Sequence, residues 1–180
     1  ATVDTELYTG TATDTFVIAQ APLTVTADSL VKYVGTANPP LTWRASGFVG
    51  GERSDVLSGA PALSTSAVTG SPTGTYTITI SAGTLAAANY APTTFVDGVL
   101  TVTPKLVPEI TWDNPSPIVY GTALGAAQLN ASASYEGENV PGTFVYTPAA
   151  GAVLGGGEQT LTAIFTPEDT DTYASVPARA

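Results

Sequence analysis

The chain has 180 residues, 43% apolar and only 11% charged, with a formal net charge of −10 and five cations: Lys32, Arg44, Arg53, Lys105 and Arg179. So few cations exclude a phosphate-tracking nucleic-acid surface and argue against an anionic membrane partner. Without cysteine or histidine, a disulfide scaffold, a thiolate metal site, the commonest general base and the best nucleophile are all absent.

In chain order, Asp4-Thr5-Glu6-Leu7 leads into Tyr8, and Phe16-Val17-Ile18 reads as a strand ahead of Pro22. Leu23-Thr24-Val25-Thr26-Ala27 alternates cleanly, and turn signals come after it at Asn38-Pro39-Pro40 and Gly50-Gly51. Ser54-Asp55-Val56-Leu57-Ser58-Gly59 predicts one helical turn, capped by Ser54 and ended by Gly59. Period two in Tyr76-Thr77-Ile78-Thr79-Ile80 puts Tyr76, Ile78 and Ile80 on one face. Leu85-Ala86-Ala87-Ala88 is a second helical candidate, too short to stand without tertiary support. Asp97-Gly98 between apolar residues predicts a two-residue hairpin. Further strands are expected at Phe144-Val145-Tyr146 and Leu161-Thr162-Ala163-Ile164-Phe165. No apolar run reaches the ~18 residues of a spanning helix, and there is no signal peptide, so neither targeting nor membrane insertion is expected. The chain reads as a piece of something longer.

The elements recur. Tyr8, Tyr90 and Tyr173 stand 82 and 83 residues apart, each after a short polar run. Tyr8 and Tyr90 are each followed 14 residues later by proline, Pro22 and Pro104, through a strand-like stretch. Only seven residues follow Tyr173, so the last strand of that repeat is expected to be missing. A fixed period marks an array of modules. The expected division is 1–20, the closing strand of a preceding module or a donor strand; 21–104, a whole module; and 105–180, a module lacking its last strand. The proline-bearing junction Thr103-Pro104-Lys105-Leu106-Val107-Pro108 predicts a stiff, extended link.

From Leu23 to Thr103 the sequence resembles the bacterial MBG repeat of YGX type, a tandem surface module. The resemblance rests on Leu23-Thr24-Val25-Thr26-Ala27, Asn38-Pro39-Pro40-Leu41-Thr42, Ser71-Pro72-Thr73-Gly74-Thr75-Tyr76, Asn89-Tyr90 and Val99-Leu100-Thr101-Val102. From Ile110 to Tyr173 it is similar to a bacterial Ig-like repeat. The matching residues include Ile110-Thr111-Trp112, Ile118-Val119-Tyr120-Gly121-Thr122-Ala123-Leu124, Tyr146-Thr147-Pro148-Ala149-Ala150-Gly151 and Phe165-Thr166-Pro167. This second stretch departs from the pattern by inserting Tyr135-Glu136-Gly137-Glu138-Asn139 and by stopping before a final strand. The resemblances imply a stalk or adhesin segment of a large bacterial cell-surface or secreted protein, and they carry no catalytic residue across.

The expected fold is all-β: two tandem Ig-like antiparallel β-sandwich modules of about seven strands each, with a grasp-like sheet around one short helix as the alternative for the first. Tyr8, Tyr90 and Tyr173 read as structural tyrosines at a strand entry, their hydroxyls bonded to backbone. Asp4, Glu6, Asp169 and Asp171 are the calcium candidates, with Asx turns as the competing reading. Trp43 and Trp112 read as core, with ligand stacking as the sharper alternative.

No enzyme activity and no cofactor beyond calcium are expected. The expected function is a structural spacer, partnered by neighbouring modules of the same polypeptide. The alternatives are a glycan- or protein-binding adhesin module, or a fibre subunit associating head to tail by strand exchange. The expected location is extracellular.

Overall fold

A computed structural model describes residues 14–180. Asp4, Glu6 and Tyr8 lie outside the described residues. The remainder is all-β, in two groups of strands that share no sheet.

The first group is β1 (Ala21–Ala27), β2 (Leu30–Tyr33), β3 (Trp43–Ser46), β4 (Ala62–Thr65), β5 (Gly74–Ser81), β6 (Tyr90–Val96) and β7 (Gly98–Thr103). One sheet runs β3-β1-β6 and the other β2-β7-β5-β4. Alternation does what period two requires. Leu23, Val25 and Ala27 of β1, Ile78 and Ile80 of β5, and Leu100 and Val102 of β7 are each 0–5% exposed, while Thr77 and Thr79 face out. Val25 and Ala27 meet Ile78, Ile80 and Leu100 across the sandwich. Each large aliphatic buried there contributes about 1.5–3 kcal/mol.

The sheets are not wholly antiparallel, which corrects one expectation from sequence. β1 pairs with β6 in parallel, from Ala21↔Tyr90 to Thr26↔Val96. β2 pairs with β7 in parallel, from Leu30↔Leu100 to Tyr33↔Thr103. Each chain segment therefore changes sheets at a corner, and the two corners lie side by side. This overturns the hairpin expected at Asp97-Gly98, since β6 and β7 never pair. Asp97 instead accepts the Ile80 N–H at 2.9 Å, and Ser29 accepts the Val99 N–H at 3.1 Å. Gly98 is required because a Cβ there would lie 2.7 Å from the Asp28 carbonyl oxygen.

The grasp-like alternative fails for lack of a helix. Ser54–Val56 is a single 3-10 turn with no side-chain cap and no buried residue, so it covers no sheet face. Leu85 starts no helix either; it closes a turn with its N–H on Ala82 and is 8% exposed.

The second group is β8 (Glu109–Thr111), β9 (Ser132–Tyr135), β10 (Glu138–Asn139), β11 (Gly142–Thr147), β12 (Thr162–Pro167) and β13 (Val176–Arg179). Its sheets run β10-β9-β8 and β11-β12-β13. The inserted stretch is a hairpin: Glu136 and Gly137 both have positive φ, 50° and 86°, and Tyr135 pairs with Glu138. That pair of angles is the signature of a tight primed turn. Ala133, Val140 and Phe165 form the core, with Ile110, Tyr135, Phe144 and Tyr173 packed on it.

Val176–Arg179 pairs antiparallel with β12. The place beside β12 where an absent last strand was expected thus holds β13. Its inward residues Val176 and Ala178 are only half-buried.

Candidate functional site

The repeating tyrosines mark a strand-entry station whose two described copies share a backbone arrangement, but only the Tyr90 hydroxyl makes the expected backbone bond among the described residues. In the first, Ala21 donates to the Asn89 carbonyl at 2.9 Å and Ala21 aligns with Tyr90. In the second, Leu106 donates to the Thr172 carbonyl at 2.9 Å and bridges Tyr173 in parallel. Tyr90 is 2% exposed. Its hydroxyl accepts the Val49 N–H at 3.1 Å, reaches the Val49 carbonyl at 3.2 Å and donates to Glu52. The Glu52 carboxylate, which accepts from the neutral phenol, raises the Tyr90 pKa above its ordinary 10.0. Phe48 packs edge-on to the Tyr90 ring at 5.5 Å, so one tyrosine pins the Gly47–Glu52 loop. Tyr173 is half-buried and meets Tyr135 edge-on at 5.9 Å.

The acidic run before Tyr173 forms an Asx turn. Asp169 Oδ1 accepts the Asp171 N–H at 3.1 Å and the Thr172 N–H at 3.0 Å. Hydrogen bonding from Thr172, side chain first and then backbone, lowers the Asp169 pKa below its ordinary 3.8, with the Asp171 N–H and the Lys105 charge assisting. Lys105 itself binds the Thr170 carbonyl. Among the described residues no group of three or more Asp or Glu side chains gathers around a metal-sized site.

The two tryptophans sit apart, one in each group. Trp43 is half-buried in β3, packs against the first core, and lines a shallow cavity of about 560 Å³ with Arg44, Phe48 and Arg53. Arg44 also pairs with Asp28. Trp112 is half-buried, donates its indole N–H to the Gln128 carbonyl at 3.0 Å and meets Tyr146 edge-on at 5.2 Å.

Two features were not anticipated from sequence. Lys32 is 6% exposed and donates to the carbonyls of Thr36 at 2.9 Å and Val68 at 2.7 Å, with Asn38 donating to the adjacent Ala67 carbonyl at 2.6 Å. Its position on the inward side of β2 gave no signal, because lysine reads as solvated in any pattern. The other is a groove of about 890 Å³, lined by Ile118, Val119, Tyr120, Gln159, Leu161 and Ala180 among others. Its signal was present: Tyr33-Val34-Gly35-Thr36-Ala37 is echoed by Tyr120-Gly121-Thr122-Ala123, which aligns the groove wall with β2.

Comparison with known families decides the character of the first group. Residues 23–101 match the family model of the MBG domain, YGX type. The matched MBG segment runs from Leu23 in β1 to Thr101 in β7; it contains Tyr90 and the middle of both parallel pairings, whose outer ends at Ala21–Pro22 and Val102–Thr103 lie just beyond it. No curated protein matches the chain.

Proposed function

We propose that the chain is a non-catalytic spacer segment of a large bacterial cell-surface or secreted adhesin. One observation carries the reading. β1–β2 and β6–β7 run side by side in parallel from Ala21↔Tyr90 to Tyr33↔Thr103, so the MBG unit is entered at one end and left at the other. Pro104 and Lys105 then lead to Leu106, where the second Tyr station begins. Load along such a chain shears the parallel-paired strands lengthwise, against all of their evenly spaced, slanted ladder bonds at once, rather than unzipping them singly.

Residues 21–33 span up to roughly 40 Å at strand rise. Two such units end to end give a rod of radius of gyration about 23 Å, against about 16 Å for one compact domain of this size. Small-angle scattering of the full chain distinguishes them, and a value near ~16 Å would overturn the spacer reading. The composition supports the non-catalytic part, since no histidine or cysteine supplies a base or nucleophile.

A second reading, a glycan- or protein-binding module, is favoured by the half-open Trp43 beside Arg44 and Arg53. Trp43 fluorescence titrated with acidic and neutral glycans in a Trp112→Phe background tests it. An unchanged spectrum with every ligand removes that reading. Structural calcium at Asp169 and Asp171 is tested by the same titration with the ion, followed through Trp112 in a Trp43→Phe background.

A further inference from the structure

We propose that the cavity between β3 and the loop 47–54 binds a carboxylated sugar, with the carboxylate on Arg53 and the ring against Trp43 and Phe48. This rests on the binding-module reading above and names the class of its ligand. Charge selects that class. The chain carries 15 acidic residues and five cations. Yet the cavity is lined, among the described residues, by Trp43, Arg44, Ala45, Phe48, Arg53 and Ser54: two cations and no acid. Arg53 enters no ion pair among the described residues, and the carboxylate of its neighbour Glu52 is turned to the Tyr90 hydroxyl. Arg44 gives one nitrogen to Asp28, and its side chain stays 68% exposed. Trp112 spends its indole N–H on Gln128. The Trp43 N–H has no such partner among the described residues and is not one of the buried unpartnered atoms, so solvent reaches it. An indole and two guanidiniums can only donate, so what they take must be rich in acceptors.

Shape narrows the choice further. β3 is the outer strand of its sheet. Its consecutive residues Trp43, Arg44 and Ala45 all reach the cavity, which therefore runs along the strand edge, with Phe48, Arg53 and Ser54 walling the other side. The volume of about 560 Å³ lies within the roughly 300–1,000 Å³ of small-molecule sites. A sugar ring bearing a carboxyl group matches this lining. Its C–H face packs on an aromatic ring, while its hydroxyls and carboxylate accept from indole and guanidinium. An acidic peptide fits less well. β3 offers an edge of only four residues, and the loop stands beside three of them, so an added strand finds little ladder to extend. The wall is also fixed in advance. Tyr90 holds Val49 by its N–H and its carbonyl, Glu52 by its carboxylate and Phe48 by an edge contact, and a wall already ordered lowers the cost of binding.

Trigalacturonate and its methyl ester, titrated into the full chain in a Trp112→Phe background, give the test by Trp43 fluorescence and by calorimetry. The ester keeps the rings and loses the charge, so it should bind about tenfold more weakly than the acid. Added salt should weaken the acid alone. Arg53→Gln should cost the acid about tenfold and the ester nothing. Arg44→Gln should cost less, because Asp28 already shares its charge. Both arginines are exposed, so circular dichroism should stay unchanged. Sialyllactose, set against lactose, is the second acid: binding of either acid above its neutral partner supports the proposal, and the tighter one identifies the source. Equal binding of charged and neutral partners overturns the proposal and leaves a glycan-binding module standing. Binding of no sugar overturns both. Hexaglutamate binding more tightly than either acid assigns the cavity to an acidic peptide instead, and affinity unchanged in Arg53→Gln removes the site.

Discussion

The two units share an entry station and differ in what fills them. The MBG unit closes on aliphatic side chains, Val25, Ile78, Leu100 and Val102, each at most 2% exposed. The second unit relies on rings: Phe144 lies between Phe165 at 4.8 Å and Tyr146 at 5.8 Å, and Tyr146 meets Trp112. The last strands differ as well. β7 supplies large inward residues to a strand paired on both sides, whereas β13 supplies Val176 and Ala178 at an edge. Phe144 and Phe165 face each other directly across the β11–β12 ladder.

The comparison breaks hardest in the MBG core. Leu100→Ala should cost about 2–5 kcal/mol, because β7 is held on both sides and the site has little room to collapse. With one tryptophan per unit, the unfolding of each is read separately: Trp43 in a Trp112→Phe background, Trp112 in a Trp43→Phe background. Denaturant titration should move only the Trp43 transition. A matching shift at Trp112 would show that the units unfold as one cooperative body. Gly98→Ala tests the paired corners next, at about 1–3 kcal/mol, since the new methyl meets the carbonyls of Ala27 and Asp28 at 2.8 and 2.7 Å.

Lys32→Met comes third, at about 1–2 kcal/mol. The Val68 carbonyl keeps its bond from the Ser71 N–H at 3.0 Å, while the Thr36 carbonyl loses the ammonium. The loss belongs to the Trp43 transition alone. In the second unit, Trp112→Phe keeps the ring against Tyr146 and removes the bond to Gln128, a cost of about 0.5–1.5 kcal/mol by calorimetry.

These contrasts also show where sequence was legible. Alternation in Leu23–Ala27 and Tyr76–Ile80 declared both faces, because burial on one side imposes period two. The turns were less readable. Asp97-Gly98 carries hairpin chemistry, yet its glycine is demanded by Ala27 and Asp28, far earlier in the chain, which no local pattern encodes. Glu136-Gly137 is the real hairpin, hidden because glutamate is not a habitual left-handed residue. The parallel pairings were invisible for the same reason as the corner: they join segments far apart in sequence. Of the candidate site residues, Tyr90 was legible through its period. Its partners Val49 and Glu52 were not, because a loop contact leaves no periodic trace.

The smallest effects are set by pH, and they separate the two stations by sign. Tyr90 has a raised pKa, because its neutral phenol donates to Glu52 and a phenolate would face that carboxylate. Its contribution is complete below the ordinary tyrosine value of 10.0 and is lost as pH rises through the higher folded value. Asp169 has a lowered pKa, so its contribution is present above the ordinary 3.8 and is lost as pH falls through the lower folded value. Alkali should therefore weaken the Trp43 transition first, and acid the Trp112 transition. Tyr90→Phe should flatten the alkaline limb, and Asp169→Ala the acid limb. If either substitution flattens the limb of the other unit, the stations are coupled through the Pro104–Lys105 junction, which then transmits strain instead of confining it.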